Sequence, residues 1–157
     1  MWWPPPTWFE STSASPTIGF APHFSQLPRP SHATGGIVHE ARGDALVAEF
    51  SRASDGVCAA LAAQANNAAR NDAIADEIVP ELRVGIALGE VIIANQTITG
   101  AGVVLAQRLE ELADTGGVCI SGAIREAVPD RLAIAYASLG EQAVKGFDEP
   151  VRAYSVS

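Results

Sequence analysis

Leu82-Arg83-Val84-Gly85-Ile86-Ala87-Leu88-Gly89-Glu90-Val91 and, after a short interval, Gly100-Ala101-Gly102-Val103-Val104-Leu105-Ala106-Gln107-Arg108-Leu109-Glu110 decide the fold. Apart from Arg83 the first stretch is apolar up to Leu88, the pattern of a buried strand over Glu81 to Leu88. It ends in a turn at Gly89, with a second strand over Val91 to Ala94. The second stretch opens on glycine, and Leu105 and Leu109 within it share one stripe with Leu112 just beyond. That predicts a helix from about Gly102 to Ala113, stopped by Thr115-Gly116-Gly117. A strand at Val118 to Ser121 follows.

Outward from this centre, strand and helix signals alternate. Upstream, Ile37 to Ala41 and Leu46 to Phe50 flank Arg42-Gly43-Asp44-Ala45, whose glycine and aspartate suit a hairpin turn. A helix is predicted from about Ser54 to Arg70, with Val57, Leu61, Ala65 and Ala68 on its apolar stripe. Downstream come a short helix before Pro129, a strand over Leu132 to Ser138, and a last pair at Ala143-Val144 and Val151 to Val156. The order is that of an α+β domain.

The chain has 157 residues, 48% of them hydrophobic and 18% charged, which suits one globular domain. Its formal charge of −8 argues against nucleic acid as a partner, because phosphate binding needs clustered Lys and Arg. The arginines are dispersed, and Lys145 is the sole lysine. No run is long and apolar enough for a membrane span, and the N-terminus lacks the pattern of a secretory signal, so a cytoplasmic location is expected. Cys58 and Cys119 stand in apolar settings without metal-ligand spacing, and both read as buried free thiols.

Residues 1–35 differ from the rest. They hold all three tryptophans and seven of the ten prolines, with one acid, Glu10, and one base, Arg29. Pro4-Pro5-Pro6 and the spaced Pro16, Pro22, Pro28 and Pro30 remove backbone donors. Residues 1–35 are expected to be a disordered extension, and residues 36–157 the folded domain.

Several segments carry a resemblance to a known family. They are Gly35 to Asp44, Leu82 to Val91, Gly100 to Glu110, Leu139-Gly140-Glu141-Gln142, Val144-Lys145-Gly146 and Glu149-Pro150-Val151. In this order and spacing they resemble the class III adenylate/guanylate cyclase catalytic domain. The resemblance implies a ferredoxin-like nucleotide cyclase fold, with a mixed or antiparallel sheet and helices on one side. It also implies an activity, the attack of a ribose 3′-hydroxyl on the α-phosphate of ATP or GTP with release of pyrophosphate. Mg²⁺ or Mn²⁺ would assist, held by two aspartates on neighbouring strands. Family members act as dimers with the site between subunits, so a homodimer, or a heterodimer with another cyclase domain, is implied.

The family's functional positions map unevenly onto this sequence. Asp44 matches the second metal-binding aspartate, and it also fits an ordinary turn. Glu40 and Thr97 fall at the base-reading positions, and their mixed pairing leaves adenine against guanine open. Glu40 equally suits a solvent-facing strand position. Val104 and Arg108, four apart on one helical face, fall where the family places a ribose-binding asparagine and a phosphate-contacting arginine. Valine cannot hydrogen-bond a sugar, and Ala101 replaces the family's usual aspartate. Arg108 can serve phosphate or pair with Glu111. Lys145 falls where a loop lysine neutralises phosphate.

The first metal aspartate belongs upstream on a strand of its own, and no stretch before Gly35 reads as that strand. The first strand and first helix are therefore expected to be missing, although Thr17-Ile18-Gly19-Phe20-Ala21 could fill the gap despite its glycine and flanking prolines. A weak or inactive cyclase is the function expected. The alternative is a non-catalytic nucleotide-binding or dimerisation module. Gly100-Ala101-Gly102 is no dinucleotide-binding fingerprint, because no third glycine follows at Leu105 and the strands are not a repeated βαβ series.

Overall fold

The structure, a computed structural model, describes residues 17–22, 36–40, 45–73, 82–95 and 97–157. Its main sheet has seven strands in the order β2-β3-β1-β4-β7-β9-β8. These are β1 (Thr17–Pro22), β2 (Ile37–Glu40), β3 (Ala45–Phe50), β4 (Val84–Leu88), β7 (Val118–Ser121), β8 (Tyr136–Gln142) and β9 (Val151–Val156). A separate two-stranded ribbon joins β5 (Ile92–Ala94) to β6 (Thr97–Thr99). Three helices complete the described elements: α1 (Ala53–Ala73), α2 (Ala101–Leu112) and α3 (Gly122–Ala127). The β4/β7 pair is parallel and is connected through α2, while every other pair in the sheet is antiparallel.

The expected α+β class and mixed sheet are present, with two corrections. First, the place of the first strand is filled. Thr17–Pro22 lies between β3 and β4 and is paired on both sides, with Phe20 opposite both Val47 and Gly85. The sheet thus draws on the segment expected to stand outside it. The prolines that argued against this strand do not interrupt it, because Pro16 precedes it and Pro22 is its last residue. Pairing on both sides satisfies the backbone groups that a gap would leave open on β3 and β4. The expected absence of the first helix concerns residues that lie outside those described.

Second, the helices occupy both faces of the sheet. Along β4 successive side chains alternate. Val84 and Ile86 join Ala53, Val57 and Ala60 of α1, Ile120, and Ile124 of α3 in one core. Ala87 points the other way, into a second core with Val47, Cys119, Ala153 and Ala106 and Leu109 of α2. Gly85 shares that face. A Cβ there would lie 2.1 Å from Ala106 O and 2.3 Å from Glu110 N, so only glycine lets α2 lie directly on the strand.

The hairpin read from Gly43-Asp44 is present in its two arms, β2 and β3, with Glu40 opposite Leu46. The apolar stripe of α1 differs from expectation. Ala53, Val57, Ala60 and Asn67 are buried, whereas Ala65 and Ala68 are exposed. An alanine-rich helix offers few large side chains to mark its inner face, and here polar residues help to fix it. Gln64 Nε2 donates to Leu82 O and to Gly117 O, both at 2.9 Å, tying α1 to the start of β4 and to the turn before β7. Ser121 caps α3, its Oγ accepting from Ile124 N at 3.4 Å.

The two thiols also differ from expectation. Cys119 is buried in the α2-side core, and burial pushes its pKa up to about 11. Cys58 is exposed on α1. Treatment of the native protein at neutral pH with a thiol-specific chromogenic disulfide is therefore expected to modify Cys58 alone, with both thiols reacting after denaturation. Rapid release of two equivalents from native protein would contradict this placement.

Candidate active site

The candidate site is built around the outer face of α2. The helix begins at Gly100, whose φ of 120° is open to glycine and whose Cβ, if present, would sit 2.7 Å from Glu90 O. Gly102 N donates to that same carbonyl at 3.0 Å. Gly89 and Gly102 touch through their backbones, since a Cβ on Gly89 would lie 2.5 Å from Gly102 Cα. The glycines of the two deciding segments thus serve one purpose, bringing the start of α2 against the end of β4.

With Ala106 and Leu109 turned into the core, the opposite face presents Val104 and Arg108. Val104 is 39% exposed, a large apolar side chain at the position expected to bind ribose. Arg108 Nη1 donates to Glu111 Oε1 and Oε2 at 3.0 and 3.2 Å, one turn along the same helix. This is the pairing that competed with phosphate contact in the sequence. The Arg108 Nε is buried and has no hydrogen-bond partner among the described residues. A buried donor without an acceptor costs about 1–3 kcal/mol, and an anion could supply the acceptor.

Glu110, the next residue toward the core, is 4% exposed, and its Oε1 lies 3.1 Å from Arg83 Nε. That ion pair joins α2 to the residue just before β4. It was not foreseen, although Arg83 and Glu110 stand in the two segments that decide the fold. The signal was a charged residue on the helix at a position, one after Leu109, that the leucine spacing placed next to the buried stripe. Leu112, expected in that stripe, is 39% exposed, and Ala106 and Glu110 take the inner positions instead.

The remaining predicted residues divide into two places. Glu40 ends β2, and Thr97 is the exposed first residue of β6. β6 touches both β2 and α2, so Glu40, Thr97, Val104 and Arg108 lie on contiguous elements. Lys145 is elsewhere. It is exposed in a turn after β8, where Phe147 N donates to Val144 O at 3.1 Å. β8 and β2 are opposite edges of the sheet, and six interstrand steps separate them by roughly 29 Å. Asp44 lies outside the described residues.

Mg²⁺ or Mn²⁺ held in the manner the resemblance implies would need carboxylates on the hairpin and on the strand beside it. The neighbouring strand is β1, whose last residue, Pro22, is opposite Ala45. Thr17-Ile18-Gly19-Phe20-Ala21-Pro22 contains no acid, and neither does β4 on its other side. Glu49 of β3 is four residues from Ala45, about 13 Å along the strand, and its Oε2 is 3.3 Å from His39 Nε2. Among the described residues no group of three or more His, Cys, Asp and Glu could hold a metal ion. Among the described residues, neither β1 nor β4 supplies a carboxylate to a two-ion centre.

The domain has the fold of adenylate/guanylate cyclase catalytic domains, and its sequence is similar to part of a cyclase-named relative. It superposes on the adenylate/guanylate cyclase/hydrolase of Silicibacter pomeroyi with a TM-score of 0.83 at 23% identity, covering 93% of this chain and 97% of that one. For the adenylyl cyclase CyaB of P. aeruginosa the TM-score is 0.75 at 22% identity, covering 93% and 95%. In sequence it is 39% identical over 123 residues to the Rhizobium meliloti (strain 1021) protein named "Putative adenylate cyclase 3", a match covering 78% of this chain and 21% of the relative. An uncharacterized Mycobacterium tuberculosis protein is 35% identical over 114 residues, 72% of this chain and 42% of that one. The chain thus spans between a fifth and two fifths of the length of these curated relatives. No family model matches it. No described helix is long and apolar enough to cross a membrane.

Proposed function

We propose that this chain is a nucleotide cyclase domain of intracellular signalling that recognises a purine nucleoside triphosphate, ATP or GTP, but converts it to the cyclic 3′,5′-monophosphate weakly or not at all. The observation that carries this reading is the pair on the outer face of α2. Arg108 keeps a buried N–H without an acceptor, while Val104 gives the ribose no hydrogen bond. Phosphate recognition is retained and sugar positioning is lost. An attacking 3′-hydroxyl held about an ångström from its reactive position can cost about 10²-fold in rate.

The placement of Lys145 supports a paired form. Its turn follows one edge strand of the sheet, whereas Glu40 lies on the other, so a lysine from a second chain could face the α2 site when two domains meet. The second reading, a non-catalytic nucleotide-binding or dimerisation module acting on a cyclase partner in the cytoplasm, is favoured by the exposed Ile92, Val104 and Leu112.

The test is a nucleotide titration followed by a turnover assay on the same folded protein, with ATP and GTP and with Mg²⁺ and Mn²⁺. Saturable binding weakened about tenfold by Arg108→Gln is expected, because hydrogen bonds to a charged group contribute about 1.5–3 kcal/mol. Cyclic AMP and cyclic GMP are expected at or near background. Robust turnover would overturn the weak-cyclase reading, and an absence of binding would overturn nucleotide recognition.

A further inference from the structure

We infer that this domain holds fewer than two divalent cations and takes the phosphates of its nucleotide without a metal pair. The inference deepens the nucleotide-recognition reading above and rests on it, but it is carried by a different part of the molecule. Two ions sharing a phosphate need carboxylate oxygens from two directions, because each ion is hard and must exchange its water for anionic oxygen. In this sheet the two directions are the β2–β3 hairpin and the strand beside it.

The hairpin supplies Glu40 and Asp44 in sequence. The strand beside it is fixed by pairing on both flanks, Pro22 to Ala45 and Phe20 to Val47 on one side, Phe20 to Gly85 and Thr17 to Leu88 on the other. No register of Thr17–Pro22 can present a carboxylate, since its six residues include none. Sliding the strand would therefore not restore the second donor set. Val84-Gly85-Ile86-Ala87-Leu88, one strand further on, is equally without acids. The sheet has kept the architecture of the central strand and lost its charge.

Without the pair, the charge of the phosphates is met by side-chain cations. Arg108 carries a buried N–H that has no acceptor among the described residues, and Lys145 is the sole lysine available to a second chain. Cationic side chains bind the metal-free nucleotide, which carries its full negative charge, at least as well as the metal complex. Added Mg²⁺ therefore brings no gain in affinity.

Two measurements on the full chain test this. Mn²⁺ is titrated into the protein without nucleotide, and bound ions are counted from the loss of the electron paramagnetic resonance signal of free Mn²⁺. One ion or none per chain is expected, and two would overturn the inference. ATP and GTP are then titrated in EDTA and in excess Mg²⁺. Affinities within about fivefold of each other are expected, and a larger tightening by Mg²⁺ would overturn it. The ion count is independent of nucleotide. Two ions in a protein that makes no cyclic nucleotide would contradict this inference alone, whereas cyclic nucleotide made with fewer than two ions would contradict the weak-cyclase reading alone.

Discussion

Gly85→Ala is expected to destabilise the domain by about 3 kcal/mol or more, seen in urea unfolding as a large fall in midpoint with little change in slope. The added methyl would meet Ala106 O at 2.1 Å and Glu110 N at 2.3 Å. Both are backbone atoms of α2, so no side-chain rotamer can relieve the overlap. The helix must lift from β4 as a unit. Lifting it also loosens the Arg83 to Glu110 pair and the contact of Gly89 with Gly102, which together aim the outer face of α2. The variant should therefore lose nucleotide binding more readily than other variants of equal stability. A near-native midpoint would show that α2 does not lie on this strand.

Ile86→Ala, one residue along, tests the other face. Ile86 is fully buried among Val57, Val84, Ile120 and Ile124, beneath α1 and α3. Removing three of its side-chain carbons should cost about 3–4 kcal/mol through lost transfer energy and the cavity left behind. Because α2 is on the opposite face, the folded fraction of this variant should bind nucleotide as the parent does. The two substitutions thus separate stability from site geometry within two adjacent residues. Equal loss of binding per folded molecule in both would contradict the division of the helices between two faces.

What the sequence made legible follows from how much each residue type constrains its surroundings. The apolar run Val118 to Ser121 became a strand with the bounds expected, and α2 began one residue earlier than expected and ended one residue sooner. Large aliphatic side chains and glycines fixed both. The inner face of α1 departs from the expected stripe because alanine fits either side of a helix, and the residues that help to decide it, Gln64 and Asn67, are polar. β6 passed unnoticed because it is three residues long with Ile98 alone buried. The strand expected from Leu132 begins at Tyr136 and runs to Gln142, through Gly140 at a bulge with φ of 75°.

The site was legible in one respect and not in another. Four-residue spacing correctly put Val104 and Arg108 on one outward face, since helical geometry alone dictates it. The competing partner Glu111 was also visible as a one-turn neighbour. The buried state of Arg108 Nε was not visible, because it depends on how α2 packs. Nor could spacing show that Glu40 and Lys145 fall at opposite edges of the sheet, which is a property of strand order. Local signals, the glycine and flanking prolines, disfavour the central strand, while the need of β3 and β4 for a partner is a tertiary constraint.

That Thr17–Pro22 completes a cyclase-type sheet without bringing a carboxylate to the site is tested most directly by native-state hydrogen exchange at the amides of residues 17–21. Protection comparable to that of Val47 and Ile86 on the flanking strands is predicted, because exchange there would require opening the centre of the sheet. Exchange at the rate of an unstructured peptide, with β3 and β4 still protected, would contradict it.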